Sequence, residues 1–296
     1  MITLKQLRYF EALARERHFG RAAEAVHISQ PALSAQIMEM EATLGVALFE
    51  RARRQVLLTR EGERVLAHAG SVLAAMAALE HAARPASGPL SGPVAIGLIP
   101  TVAPYLIPKL VPYLKRHYPE AEIALKEAVT DQLLDHLEAG MLDVVVAALP
   151  VERDGIEAME LFSDRFFMAV ARNNQTVLAS PLIQADIEAD RLLLLEEGHC
   201  LRDQALALCE RKPKRAIVNV GATSMTTLLQ MVANDMGMTL IPEMAVAAET
   251  ARTPLTILPF AEPAPARRLG LCWRRSDRRG KSMEALAAAV LACRAG

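Results

Sequence analysis

One short stretch, RPASGPLSGP at residues 84–93, separates two patterns that a single core cannot accommodate. Proline, glycine and serine at that density interrupt helix and strand alike. Before the stretch, apolar residues recur at helical spacing. After it, short apolar runs alternate with helical segments. The 296 residues leave room for two or three domains. A small helical head followed by a larger α/β body is the expected arrangement.

In the head, LKQLRYFEALARE places Leu4, Leu7, Phe10, Leu13 and Ala14 on one helical face. A second short helix, FGRAAEAV, packs small alanines. Ser29 then stands as N-cap of a third helix, with Pro31 in its first turn. That helix, QPALSAQIMEMEATLG, keeps Leu33, Ile37, Met40 and Leu44 together and stops at Gly45. Gln30, Ser34 and Gln36 are left pointing outward. Two helices joined by a tight turn, the second with a polar uncharged face, can offer hydrogen bonds to base edges in a major groove. The next segment, LFERARRQVLLT, reads as a hairpin whose tip carries Arg51, Arg53 and Arg54, a wing suited to phosphates. Residues 1–58 hold eight basic and six acidic side chains, and the excess lies in that wing. The whole chain has 33 basic and 34 acidic residues, so any nucleic-acid role is local. Taken alone, the pattern fits a three-helix unit that never touches DNA as well as one that does.

Thr59 caps a long helix to about Ala83. Along it Val65, Ala69, Val72, Met76, Leu79 and Ala83 repeat at alternating spacings of four and three, a coiled-coil seam. A helix of about 37 Å between two domains has little of its own chain to lie on, which favours a dimer contact. Beyond the linker come VAIGLI, a helix over 102–117, AEIALKEA, a helix over 131–140 and DVVVAAL. A second unit holds FFMAVA, RLLLLEE, AIVNV, a helix over 225–234 and MTLIP; RLGLCWRR and SMEALAAAVLACR close the chain. A mainly parallel sheet with helices on its faces is expected. The first twenty residues lack the apolar core of a secretory signal, and no apolar run approaches the ~18 residues of a membrane span. A cytoplasmic location, with reduced cysteines, is the expectation.

The segment GHCLRDQALALC opens and closes on cysteine, at Cys200 and Cys209. If the residues between are helical, the two Cα atoms lie roughly 13 Å apart along the axis. A disulfide spans only about 4.4 to 6.8 Å, so a bond between them requires the helix to be undone. Cys200 stands at a helix N-terminus with Arg202 in the first turn, and both favour the thiolate. Paired CxxC spacing for zinc is missing, and adjacency of His199 to Cys200 does not assemble a cysteine hydrolase. Cys272 and Cys293 read as plain buried cysteines. No metal or cofactor is expected.

The first 60 residues resemble the LysR-type transcriptional regulators, through SQPALS at the recognition helix, LG-x-x-LFER before the wing and T-x-x-G at the start of the linker helix. The resemblance implies an α/β fold class with an N-terminal winged helix-turn-helix, a long linker helix and a two-subdomain effector domain resembling periplasmic binding proteins. The implied boundaries are 1–58 for the DNA-binding domain, 59–92 for the linker and hinge, and 93–296 for the effector domain. Within the last, subdomain I takes 93–161 plus 267–296 and subdomain II takes 162–266. GPVAIGLIPTVAPYLIPKLVPYL and LLLLEEGHCLRDQALALC are further similar to the OxyR-type hydrogen peroxide sensors. Carried over by position, Cys200 is the peroxidatic cysteine and Cys209 the resolving one, joined by a disulfide on oxidation. Thr101, Thr130, His199, Arg202 and Asp203 become neighbours of the reduced site. DNA contacts fall to Ser29, Gln30, Pro31, Ser34 and Gln36, with Arg53 and Arg54 on phosphate. The implied partners are double-stranded DNA, further copies of the chain in a dimer of dimers, and RNA polymerase, with hydrogen peroxide as the signal and no membrane. The implied role is regulatory, not enzymatic. One alternative is a LysR-type regulator with a small organic ligand in a cleft lined by Thr101, Thr223 and Ser224. Another, a thiol peroxidase, has no use for a helix-turn-helix. Two features depart from the sensors: the basic ERKPKR after Cys209, and Thr226 where an acidic residue is common.

Overall fold

A computed structural model describes residues 1–52, 55–82, 88–173, 180–183, 187, 191–208 and 221–294. The chain divides into two compact units, Met1–Ala86 with Ala139–Met141, and Ser87–Glu138 with Leu142–Gly296.

The first unit opens with α1 (Leu4–Glu16), α2 (Phe19–Ala25) and α3 (Gln30–Leu44). Local signals set the ends of these helices. Thr3 and Gln6 form a reciprocal capping box on α1. The Ser29 hydroxyl accepts the Ala32 N–H at the start of α3, and Gly45 ends that helix in the left-handed region at φ 72°. Phe10, Leu13, Leu33, Ile37 and Met40 fill the core between them. The wing consists of β1 (Phe49–Ala52) and β2 (Gln55–Leu58), antiparallel, with Phe49 opposite Leu58. The Glu41 carboxylate receives the backbone N–H groups of Leu48 and Phe49 at 2.8 and 3.2 Å, which fixes the chain where it leaves α3 for the wing. Thr59 starts α4 (Arg60–Ala82) by accepting the Gly62 N–H at 2.9 Å. The seam on α4 is divided in its duties. Val65 and Ala69 pack into the head's own core, whereas Val72 and Leu79 are exposed.

The second unit is built on β3 (Gly92–Leu98), β4 (Ala121–Glu127), β5 (Val144–Leu149), β6 (Ile156–Ala171), β7 (Thr239–Pro242), β8 (Leu255–Pro259) and β9 (Ala266–Arg274). Its sheet runs β4-β3-β5-β9-β6-β7, with β8 also paired to β6. The expected mainly parallel sheet is corrected here to a mixed one. β3 is parallel to β4 and β5, but β9 runs antiparallel to β5 and β6, and β6 antiparallel to β7 and β8. The antiparallel pairings of β9 come from a return of the chain to the first half of the sheet after residue 265, a long-range crossing that periodicity does not reveal. The helices are α5 (Ala103–His117), α6 (Thr130–Glu138), α7 (Cys200–Leu208), α8 (Met225–Ala233), α9 (Glu243–Thr250) and α10 (Gly280–Arg294). RLLLLEE makes only isolated bridges, Leu192 to Met238 and Leu195 to Ala222. AIVNV lies outside the described residues. Two apolar clusters share the unit: one around Ile96, Val145 and Leu271, the other around Met168, Leu229 and Ile241. β6 belongs to both. Its first ten residues pair with β9, and from Phe166 onward it pairs with β7 and β8.

Candidate functional site

Three helix starts converge in the second unit. Thr101 lies in the turn between β3 and α5, Thr130 is the first residue of α6, and Cys200 is the first residue of α7. With Ile99, Pro100, Val129, Gly198 and His199 they line a closely packed pocket. It has no room for an organic effector, which needs about 300 to 1,000 Å³. Gly198 adopts φ 90°, a conformation that side chains avoid, and so delivers His199 and Cys200 to the pocket wall.

The polar atoms here are incompletely satisfied. Among the described residues His199 Nδ1 is buried without a hydrogen-bond partner, and the buried Thr130 hydroxyl has only the Cys200 sulfur beside it. Burial holds the His199 imidazole below its ordinary pKa, against the opposing charge of Glu196, so the ring is neutral near pH 7. Such orphaned atoms are costly in a native structure and can be satisfied by an ordered water or a bound reactant.

The cation nearest to this chemistry was not among the residues singled out from the sequence. Arg267, on β9, is fully buried. It donates from Nη1 to the Thr101 hydroxyl at 2.7 Å and from Nη2 to the Thr101 carbonyl at 3.1 Å. Its Nε donates to Asp164 Oδ2 at 2.9 Å. Asp164 on β6 and Arg267 on β9 are direct partners across the antiparallel ladder, so register alone brings the pair together. Asp164 also accepts the Met244 N–H at 3.1 Å and thereby caps α9. Because Arg267 donates to the Thr101 oxygen, the Thr101 proton is free to point elsewhere.

Burial raises the Cys200 pKa above its ordinary value. The Arg267 charge, the Thr130 hydroxyl and the Leu201 amide pull it back, and Asp203 adds to the rise. The helix start does favour the thiolate, through the Leu201 amide, but the guanidinium that joins it is that of Arg267, so the part expected of Arg202 is corrected. Arg202 Nη1 turns away to the Leu195 carbonyl at 3.0 Å, satisfying a backbone acceptor in the second core. Asp203 is exposed and acts only through its charge. Burial therefore weighs toward the neutral thiol at rest.

Cys209 and the ERKPKR segment lie outside the described residues, as do Arg53 and Arg54 in the head. Cys272 and Cys293 are free and buried, and burial pushes the Cys272 thiol up to about 12. Of the alternative cleft residues, Ser224 caps α8 by accepting the Thr227 N–H at 3.2 Å. Thr226 donates to the buried Glu249 carboxylate at 3.1 Å, and Tyr105 donates to the same oxygen at 2.9 Å. In the head, Gln30 and Pro31 are exposed at the start of α3, Ser34 is half-buried, and Gln36 donates to Glu39 at 2.9 Å. Among the described residues no group of three or more acidic, histidine or cysteine side chains is placed to hold a metal, and no helix is long and apolar enough to cross a membrane.

Comparison with known proteins agrees with this architecture. The family model for the bacterial regulatory helix-turn-helix protein, lysR family, matches residues 4–63, and that for the LysR substrate binding domain matches residues 87–293. The DNA-binding transcriptional dual regulator OxyR of Escherichia coli K12 is 40% identical over 291 residues, covering 98% of this chain and 95% of the relative. Full-length OxyR from Pseudomonas aeruginosa superimposes with a TM-score of 0.76 at 34% identity, over 98% of this chain and 95% of that one. A hydrogen peroxide-bound cysteine-to-serine mutant of Corynebacterium glutamicum OxyR gives a TM-score of 0.67 at 36% identity, over 99% and 94% of the two chains. Two matched domains in the expected order, and relatives aligned along almost their whole length, leave one assignment: the chain belongs to the LysR family of transcriptional regulators, in its OxyR branch.

Proposed function

We propose that the protein is a DNA-binding regulator switched by hydrogen peroxide at Cys200. The observation that carries this reading is the closely packed pocket at Cys200, in which the buried His199 Nδ1 lacks a partner among the described residues and the Thr130 hydroxyl has only the Cys200 sulfur. Hydrogen peroxide has two oxygens and two protons to offer them. The relatives include an OxyR solved with peroxide bound and another in an oxidized form.

In the proposed reaction the Cys200 sulfur attacks one peroxide oxygen, the O–O bond breaks, and the second oxygen leaves as water. The thiolate is the attacking form, so the thiol proton is lost to solvent beforehand, and the Thr101 or Thr130 hydroxyl relays a proton to the departing oxygen. Arg267 polarises Thr101 and stabilises negative charge at sulfur and oxygen as it develops. The product is a sulfenic acid at Cys200. Attack by the Cys209 thiol then forms the disulfide and releases a second water. Since α7 begins at Cys200 and runs to Leu208, the bond requires that helix to open. Redox state thereby selects between two backbone arrangements.

The output runs through the head, residues 1–58, and the linker, 59–92. Gln30, Pro31 and Ser34 face base edges, Ser29 and Gln36 flank them, and Arg53 and Arg54 hold phosphate. The exposed Val72 and Leu79 on α4 supply a dimer seam. Subdomains 93–161 plus 267–296 and 162–266 carry the rearrangement to a dimer of dimers, and RNA polymerase reads the result in the cytoplasm.

Mass spectrometry of the purified chain before and after a stoichiometric pulse of peroxide tests the chemistry. A Cys200 to Cys209 disulfide is expected within seconds, and none in Cys200→Ser. Two thiols that stay reduced in a protein still competent for DNA would sink the proposal. For the head, Arg53→Ala is expected to weaken binding to all sequences and flatten its salt dependence.

A further inference from the structure

Arg267 has one more contact, and it is to a group that peroxide can change. Its Nη2 approaches the Met244 thioether at 3.5 Å. That same nitrogen also serves the Asp164 carboxylate at 2.9 Å and the Thr101 carbonyl at 3.1 Å. A thioether is a weak acceptor, so the contact constrains the guanidinium little. Met244 itself is half-buried on the first turn of α9, and its backbone is pinned to Asp164. It packs against the cluster that also contacts Cys200.

We propose that Met244 is a second oxidation site, one whose conversion to the sulfoxide desensitises the Cys200 pocket. The sulfur lone pair attacks one oxygen of hydrogen peroxide and forms an S–O bond. The O–O bond breaks, and the other oxygen departs as water with both protons. Sulfur loses two electrons and peroxide gains them. The sulfoxide oxygen is a strong, polar acceptor placed where the weak one stood. It draws Nη2 from the Thr101 carbonyl, and Thr101 loses part of the anchor that presents its hydroxyl to the pocket. Thioethers react far more slowly than activated thiols, so this change accumulates only under sustained peroxide. It leaves the sensor refractory after its disulfide has been reduced. The inference rests on the reading that Cys200 is the peroxide-reactive group.

The test uses the full-length protein and Met244→Leu, each treated with excess peroxide, reduced with dithiothreitol, which returns disulfides to thiols and leaves sulfoxides, and then given a fresh peroxide pulse. Peptide mass spectrometry gives the map. The exposed Met38 and Met236 serve as the oxidised reference and the buried Met40 and Met168 as the protected one. Met244 is expected to carry one added oxygen. Cys200 oxidation in the pre-treated wild type should be about fivefold slower than in untreated protein, the factor that corresponds to one hydrogen bond. Methionine sulfoxide reductase should restore the rate. Pre-treated and untreated Met244→Leu should match each other, which also controls for overoxidation of Cys200. An unmodified Met244 beside oxidised Met38 and Met236, or a Met244 sulfoxide with no loss of rate, would overturn the proposal. Failure of untreated wild type to oxidise at Cys200 would instead defeat the sensor reading, and the Met244 map would still be legible.

Discussion

In the head, polar groups find partners a few residues away: Ser29 takes the Ala32 N–H, and Glu41 takes those of Leu48 and Phe49. At the Cys200 pocket the partners come from far along the chain, with Thr101 and Arg267 166 positions apart, and the buried His199 Nδ1 has no partner among the described residues. The head is thus finished before it meets anything. Its surface can be shaped in advance because DNA brings its own fixed pattern of donors and acceptors. The pocket is built unfinished, at a cost in stability that a bound reactant can offset. A reader and a sensor call for opposite treatment of their polar atoms.

Four variants or conditions press on that contrast. The heaviest blow is Arg267→Met, which leaves Asp164 buried and unpaired. A loss of about 3–5 kcal/mol in denaturant unfolding is expected for the second unit. Adding Asp164→Leu should restore much of that stability without restoring peroxide reactivity, which would separate the pair's structural duty from its chemical one. Next comes Thr226→Glu, which sets a second carboxylate against Glu249. About 2 kcal/mol should be lost at pH 8 and less at pH 5, because a carboxyl whose folded pKa is raised destabilises the fold only once it ionises. An unfolding midpoint independent of pH would show that the new side chain escapes to solvent. The pH dependence of Cys200 oxidation follows. Below the thiol pKa the rate should climb about tenfold per pH unit, and it should keep climbing where an ordinary cysteine levels off, because burial raises this thiol. A plateau near neutrality in stopped-flow traces would contradict the neutral resting form. The smallest effect belongs to the head, where Ser29→Ala should cost about 1 kcal/mol by loss of the α3 cap, read as a shift in thermal unfolding.

The same contrast explains what could be read from the residues alone. Helix boundaries in the head were legible because Ser29, Gly45 and Thr59 act within one turn of themselves. Thr101, Thr130, His199 and Cys200 were placed by resemblance, and they do line one pocket. Arg267 was hidden because its neighbours Arg268 and Arg274 look the same in the sequence. Only the register of β6 against β9 selects it as the partner of Asp164. Arg202 misled for the converse reason: it is next to Cys200 in the chain but satisfies Leu195 in the fold. The β6 segment before FFMAVA was missed because its exposed and half-buried residues carry no continuous apolar run.

That long strand has a mechanical consequence. β6 pairs with β9 up to Arg165 and with β7 from Phe166, and the Asp164–Arg267 pair sits one residue before the exchange. A strand that trades one set of neighbours for another is a beam resting on two supports, and the guanidinium is bolted beside the fulcrum. Any bending of one half of the sheet against the other pivots where Thr101 is held. The proposed opening of α7, which begins in the wall of that pocket, would load the same pivot.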